Sequence, residues 1–314
     1  MTRTATVYPP SQLTVREVGL RDGLQLAKEW PDTNAKRDWL DAEYQAGVRH
    51  FEVGSFLPAK RFPQFADISD VIQHVVNLGA GHGAALALNE RGAEDAIGSC
   101  INEIVCVVSA TEEHSQANMR RSREEALELV RYVCTQRDEL APGKVVNVGI
   151  SMAFGCTIAG QVLPADVLQL AERAFSAGAD MVGLADTIGY AGPTQIEALC
   201  REITRVNTDA PLLIHLHDTR GMGIANAAAA LDSGVRILDA SLGGLGGCPF
   251  APGATGNIVF EDVVFLCERM GFATNIDLEA LHKARLIAEQ SMPSETFYGN
   301  VPRAGVPKNI TWAA

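Results

Sequence analysis

The stretch PADVLQLAERAFSAGADMVGLADTIGYAGP (164–193) holds one repeat of the pattern on which the fold is read. Its apolar spacing predicts a helix over 164–177, entered through Pro164 near the first turn. Gly178 ends that helix, and the chain runs almost at once into the short apolar run MVGLAD (181–186). A further helix is expected over 193–207, again starting at a proline, Pro193. Helix, glycine, strand, polar turn and helix make up the building block of a parallel α/β protein.

The same punctuation recurs outward from this block, in AGVRHF (46–51) and SGVRIL (233–238). Strands are expected at 13–19, 48–54, 83–89, 103–109, 145–154, 181–186, 212–217 and 236–242. The intervals can each hold a helix and two turns. One such helix is expected over 120–140, with Ala126, Leu127, Val130 and Val133 on one face. Eight strand–helix units imply an α/β fold of the (β/α)8 TIM-barrel type. An open doubly wound sheet is the runner-up. It loses ground because no G-x-G-x-x-G follows the first strand, and because polar residues end strands in many different units. A single domain over 1–314 is expected, with the barrel at about 13–275 and a C-terminal addition at about 276–314. That addition comprises a helical segment and a flap, YGNVPRAGVPKN (298–309).

Composition narrows the function. Of 314 residues 47% are hydrophobic and 20% charged, which suits a large buried core. Asp and Glu number 38 against 26 Lys and Arg, a net charge of -12. No nucleic-acid partner is expected from that sign. The seven cysteines form no C-x-x-C pair, so reduced thiols and a cytoplasmic location are expected. Neither a signal peptide nor a membrane span is visible.

Barrel active sites lie at the C-terminal ends of the strands. Those ends offer Arg21, Asp22 and Gln25 after strand 1, Glu52 and Ser55 on strand 2, and Asn89 after strand 3. Asp186 and Thr187 end strand 6, His215 and His217 end strand 7, and Asn257 follows strand 8. Residues two apart on a strand share a face, so His215 and His217 can bind one metal ion. With Asp22 and Asn257 they make a thiolate-free set suited to a divalent ion such as Mg²⁺ or Mn²⁺, with zinc less favoured. Arg21 beside such a site would stabilise an oxyanion. Glu52 on a barrel strand needs a partner if buried. Asp186 stays open between base, histidine partner and loop cap. Cys248 sits in the glycine-rich GGLGGCPF (243–250), a poor place to bury a small hydrophobe, and is the candidate mobile acid or base. Cys106, Cys200 and Cys267 read as inert buried thiols.

These residues resemble the 3-hydroxy-3-methylglutaryl-CoA lyase family, metal-dependent barrel lyases related to Claisen-type synthases. The matching pieces are VREVGLRDGLQ (15–25), FEVGSF (51–56), FPQFAD (62–67), ADTIGYAGP (185–193), HLHDTRGMGIAN (215–226), SLGGLGGCPFAPGATGN (241–257) and EDVVFL (261–266). The cysteine loop with its later G-x-x-G-N is specific to the lyase branch. The resemblance implies metal ligands at Asp22, His215, His217 and Asn257, an enolate-steadying Arg21, a catalytic Cys248, and accessory carboxylates at Glu52 and Asp186. It also implies a homodimer and an acyl-CoA substrate cleaved to acetyl-CoA and a ketone with Mg²⁺ or Mn²⁺.

The chain departs from the family at CTIAG (156–160), NERG (89–92), LPAK (57–60) and ATEEHSQANMRRS (110–122). The catalytic set is retained while the walls differ, so a different C3 substituent on the substrate is plausible. The alternatives are a condensing acyltransferase of the same group, or a lyase for another 3-hydroxy-dicarboxyl-CoA such as citramalyl-CoA. Zinc amidohydrolase barrels carry H-x-H on strand 1 rather than strand 7, and a non-enzymatic barrel would not need this residue set. Lys60, Arg61, Arg91, Arg120, Arg121 and Arg123, near the loops after strands 2 to 4, are grouped as candidates for the CoA phosphates.

Overall fold

A computed structural model describes residues 2–247, 256–308 and 312–313. Eight strands close into a barrel in sequence order: β1 (Thr14–Glu17), β2 (His50–Ser55), β3 (His82–Leu86), β4 (Glu103–Ser109), β5 (Val145–Ser151), β6 (Met181–Asp186), β7 (Leu212–Leu216) and β8 (Ile237–Ala240). Every neighbouring pair is parallel, and β8 closes on β1 with Arg16 opposite Asp239. The expected (β/α)8 architecture is therefore the one found. The described helices are α1 (Arg3–Val7), α2 (Thr33–Gln45), α3 (Ile68–Asn77), α4 (Glu90–Gly98), α5 (Glu112–Met119), α6 (Arg123–Leu140), α7 (Pro164–Ser176), α8 (Pro193–Val206), α9 (Gly223–Asp232), α10 (Phe260–Arg269), α11 (Leu278–Ser291) and α12 (Asn300–Ala304). None is long and apolar enough to cross a membrane.

The helices bury one stripe against the outside of the barrel, as their spacing requires. On α6 the buried set contains Ala126, Leu127, Val130 and Val133. The single helix expected over 120–140 begins later. Arg120 adopts a left-handed conformation that ends α5, and Ser122 starts α6 with a capping box shared with Glu125. β4 and β6 end where expected and β2 one residue later, while β1, β3, β5, β7 and β8 stop short of their expected C-terminal ends. β3 stops at Leu86, and the Asn89 side chain accepts from the Gly92 N–H at 2.8 Å to start α4.

The floor of the barrel is plugged from below. α1 delivers Tyr8 into a layer formed by Val145, Met181, Leu213 and Ile237, all buried. The Tyr8 hydroxyl donates to Glu103 at 2.6 Å, and its ring stacks on His50 at 5.1 Å.

The segment read as a flap outside the barrel is tied down over its described part. Asp262 on α10 accepts from the N–H groups of Asn300 and Val301, and Arg285 on α11 donates to the Tyr298 carbonyl. Tyr298 in turn donates to the Gly243 carbonyl. Gly243 has φ +62, and a Cβ there would lie 2.4 Å from the Phe297 ring, so only glycine allows this approach. The C-terminal addition thus holds the start of the glycine-rich loop.

Candidate active site

Arg21 and Asp22 lie on a tight turn at the end of β1. The Val18 carbonyl accepts from the N–H groups of Arg21, Asp22 and Gly23, giving a π-type turn over Gly19–Gly23. Such turns recur at functional sites because they re-aim side chains. Here the turn carries both side chains over the barrel mouth. Arg21 donates from Nε to Glu52 and from Nη1 to Asp22, each at 2.5 Å, and to Gln25 Oε1 at 3.3 Å. Glu52 is buried on β2. The partner that a buried Glu52 requires is thus Arg21, with Arg16 also close at 3.9 Å.

β7 supplies the two histidines. His215 Nε2 lies 3.1 Å from His217 Nε2, and Asp22 Oδ2 lies 3.5 Å from His217 Nε2. One ligand atom from each of Asp22, His215 and His217 falls within 4.8 Å of the others. Two imidazole nitrogens this close must share a proton or a cation. Asn257 bridges back to His217 and donates from Nδ2 to Asp22 at 2.8 Å and to the Leu245 carbonyl at 2.9 Å. Its buried Oδ1 accepts no hydrogen bond from the described residues, which suits a metal ligand. The donor set fits a hard or borderline divalent ion.

Electrostatics support this picture. Burial alone would raise the Asp22 carboxyl, but Arg21, His217 and His215 prevail and hold it well below the usual carboxylate range. Burial pushes Glu52 up, against the pull of Arg21 and Arg16. His215 Nδ1 donates to Asp239 Oδ2 at 3.0 Å, which turns Nε2 toward the site. Asp239 is itself held by Arg16, at 2.7 Å and 3.0 Å. Arg16 also donates to Glu103 at 2.8 Å. Asp239 and Arg16 were missed in the sequence. The signal was present, since a charge inside an apolar strand run demands a partner, as argued for Glu52.

The remaining candidates separate. Arg21, Asp22, Gln25, Glu52, Ser55, Asn89, Thr187, His215 and His217 line one cavity of about 700 Å³. Within it, Asn89 caps α4, and Thr187 Oγ1 accepts from the Met152 N–H at 2.9 Å. Asp186 does not line the cavity. Its carboxylate accepts from the N–H groups of Tyr190 and Ala191, as a loop cap does, and it also lies within electrostatic reach of His217. Cys248 lies outside the described residues. Cys106, Cys200 and Cys267 are buried, and burial pushes the Cys200 and Cys267 thiols up to about 12. Of the basic candidates Arg61 and Arg121 line the cavity, while Arg91 pairs with Asp95 on α4.

A parallel barrel with a His-x-His and carboxylate group at its C-terminal mouth, flanked by a half-buried arginine held between carboxylates, defines a barrel enzyme equipped for metal-assisted chemistry at an oxyanion. Comparison with known proteins makes this specific. The HMGL-like family model matches residues 12–287. The chain is 36% identical over 283 residues to the hydroxymethylglutaryl-CoA lyase YngG of Bacillus subtilis, covering 90% of this chain and 94% of that one. It is 39% identical over 280 residues to the (R)-citramalyl-CoA lyase of Chloroflexus aurantiacus, covering 86% and 87%. A solved HMG-CoA lyase from Acinetobacter baumannii, in complex with coenzyme A and 3-methylmalate, superposes with a TM-score of 0.87 at 33% identity, covering 96% and 98%. The chain belongs to the HMGL-like family.

Proposed function

We propose that this carbon–carbon lyase cleaves 3-hydroxy-3-methylglutaryl-CoA, or a close 3-hydroxyacyl-CoA, to acetyl-CoA and a keto product. For the methylglutaryl ester that product is acetoacetate. The observation that carries this reading is the Arg21 guanidinium, clamped by Glu52 and Asp22 beside the Asp22–His215–His217 group. Asp22, His215, His217 and Asn257 would hold Mg²⁺ or Mn²⁺, which when bound lowers the pKa of a neighbouring hydroxyl. A base among Asp22, His215 and Glu52 takes the C3 hydroxyl proton. The C3–O electrons form the ketone as the C2–C3 bond breaks, and the bonding pair passes to the thioester enolate. Arg21 offsets the enolate charge. Cys248 is assigned as the donor that protonates C2, giving acetyl-CoA. Asp239 holds the His215 ring in one orientation throughout. The protein is further proposed to act in the cytoplasm as a homodimer.

Incubation of purified protein with Mn²⁺ and 3-hydroxy-3-methylglutaryl-CoA should release acetyl-CoA and acetoacetate. No release from this ester or from related 3-hydroxyacyl-CoA esters would overturn the assignment. A second reading, cleavage of citramalyl-CoA to acetyl-CoA and pyruvate, is favoured by the identity to the Chloroflexus enzyme, and the same assay with that ester decides between them.

A further inference from the structure

A (β/α)8 barrel is ordinarily filled by layers of bulky branched side chains. Here the inward positions on β5 and β6 above Asn147 are Gly149, Ser151, Gly183 and Ala185, and all four line the cavity. Gly149 and Gly183 are register partners, so the small residues lie side by side. In the same cavity Leu86 of β3, Leu88 just after it, and Val105 and Val107 of β4 form an apolar wall, with Val107 in register with Gly149. The barrel is therefore hollow on one side and greasy beside the hollow. Arg16 and Asn147, both buried, form a polar floor that limits its depth.

Gly149 is the informative position. Gly183 has a packing reason, since a Cβ there would meet Leu213 at 3.0 Å. Gly149 has none. It lies within β5, outside the left-handed region, and a Cβ there would meet only the Cys106 carbonyl oxygen at 3.8 Å. A strand-interior glycine costs stability, and it often marks close approach of a ligand. What glycine provides at this position is empty volume inside the cavity.

We infer that this recess receives the substituent on C3 of the substrate, and that the substituent is an apolar chain longer than methyl. The inference rests on the carbon–carbon lyase reading above and specifies its substrate class. The polar end of the cavity, with Arg21, Asp22 and the histidines, takes the reacting oxygens, and the Leu–Val wall takes the alkyl chain.

The test compares 3-hydroxy-3-methylglutaryl-CoA with its 3-propyl homologue. Each methylene in an apolar pocket is worth about 10- to 200-fold in discrimination. Wild-type kcat/KM should favour the propyl ester by about tenfold or more. Gly149→Val should lower kcat/KM for the propyl ester by about tenfold or more and for the methyl ester by less than about threefold. Its Tm should stay unchanged or rise, which separates loss of volume from loss of folding; Gly149→Ala should show the same trend more weakly. A wild-type preference for methyl, or equal loss on both esters in Gly149→Val, would overturn the inference. Cleavage of neither ester would instead sink the lyase reading. Calorimetric titration of the metal-free protein then reads the recess without turnover: tighter binding of the propyl ester, abolished in Gly149→Val, supports it, and equal binding of the two overturns it.

Discussion

Arg21 is half-buried between two carboxylates, so its charge is already compensated before any substrate arrives. Its electrostatic effect is therefore aimed rather than diffuse. Arg21→Met should lower kcat by about 10²- to 10³-fold with little change in KM, the pattern for a group that acts on developing charge. A rise in KM alone would reassign it to substrate binding. Asp239 acts one step back. Asp239→Ala should weaken Mn²⁺ binding by about 10- to 100-fold, measured by calorimetry, because His215 loses the acceptor that orients its ring. At this scale the strand-end residues were legible, because the barrel rule gives an address at which to look. Asp239 and Arg16 stand out as charges inside apolar strand runs, but that they pair with each other depends on closure of β8 onto β1, and closure has no local sequence mark.

The secondary-structure elements tell a related story. Proline and glycine placed α7, β6 and α8 almost to the residue, because backbone geometry at those positions is set locally. The start of α6 was misplaced by three residues and α5 was missed, because the buried positions of α5, His114 and Ser115, are polar and leave no apolar stripe to read. α1 escaped notice because five residues hold no periodicity. Its docking makes the floor sensitive to acid. Burial, with His82, lowers the His50 pKa to about 4 from 6.5, so the folded state favours the neutral ring. The stability this confers is complete above pH 6.5 and falls as pH drops from 6.5 toward 4. Glu103 is moved from 4.5 to about 2: burial would raise it, and Arg16 and His82 overcome burial. Its contribution is complete above 4.5 and is lost toward pH 2. Thermal unfolding against pH should therefore show two acid slopes, and His50→Asn should flatten the upper one. An unchanged upper slope would remove His50 from the account.

For the whole molecule, the question is how a chain of net charge -12 accepts a ligand that carries phosphates. Arg61 and Arg121 stand on the cavity lining, and Arg91 does not. Charge reversal at Arg61 and Arg121 should raise KM for the CoA ester several-fold while kcat holds, and reversal at Arg91 should do nothing. Equal effects at all three would point to a general surface field rather than a docking site. Barrel architecture and the address of the chemistry were readable from the eight-fold repetition. The hollow beside Gly149 was not, because each small residue looks unremarkable in its own strand and becomes a volume only when β5 and β6 lie in register.

Closure of the barrel floor by Tyr8 makes the reaction chamber a cul-de-sac, and a cul-de-sac imposes a queue. Bond cleavage yields two molecules, and with the C3 substituent seated in the proposed recess beside Gly149 the fragment that keeps C3 would lie deeper, behind the one tethered to the coenzyme. The acetyl thioester must leave first and the ketone last. Product inhibition exposes that order: the keto product should compete with substrate for the empty enzyme, while acetyl-CoA should inhibit non-competitively. The opposite pattern would mean that the chamber has a back door.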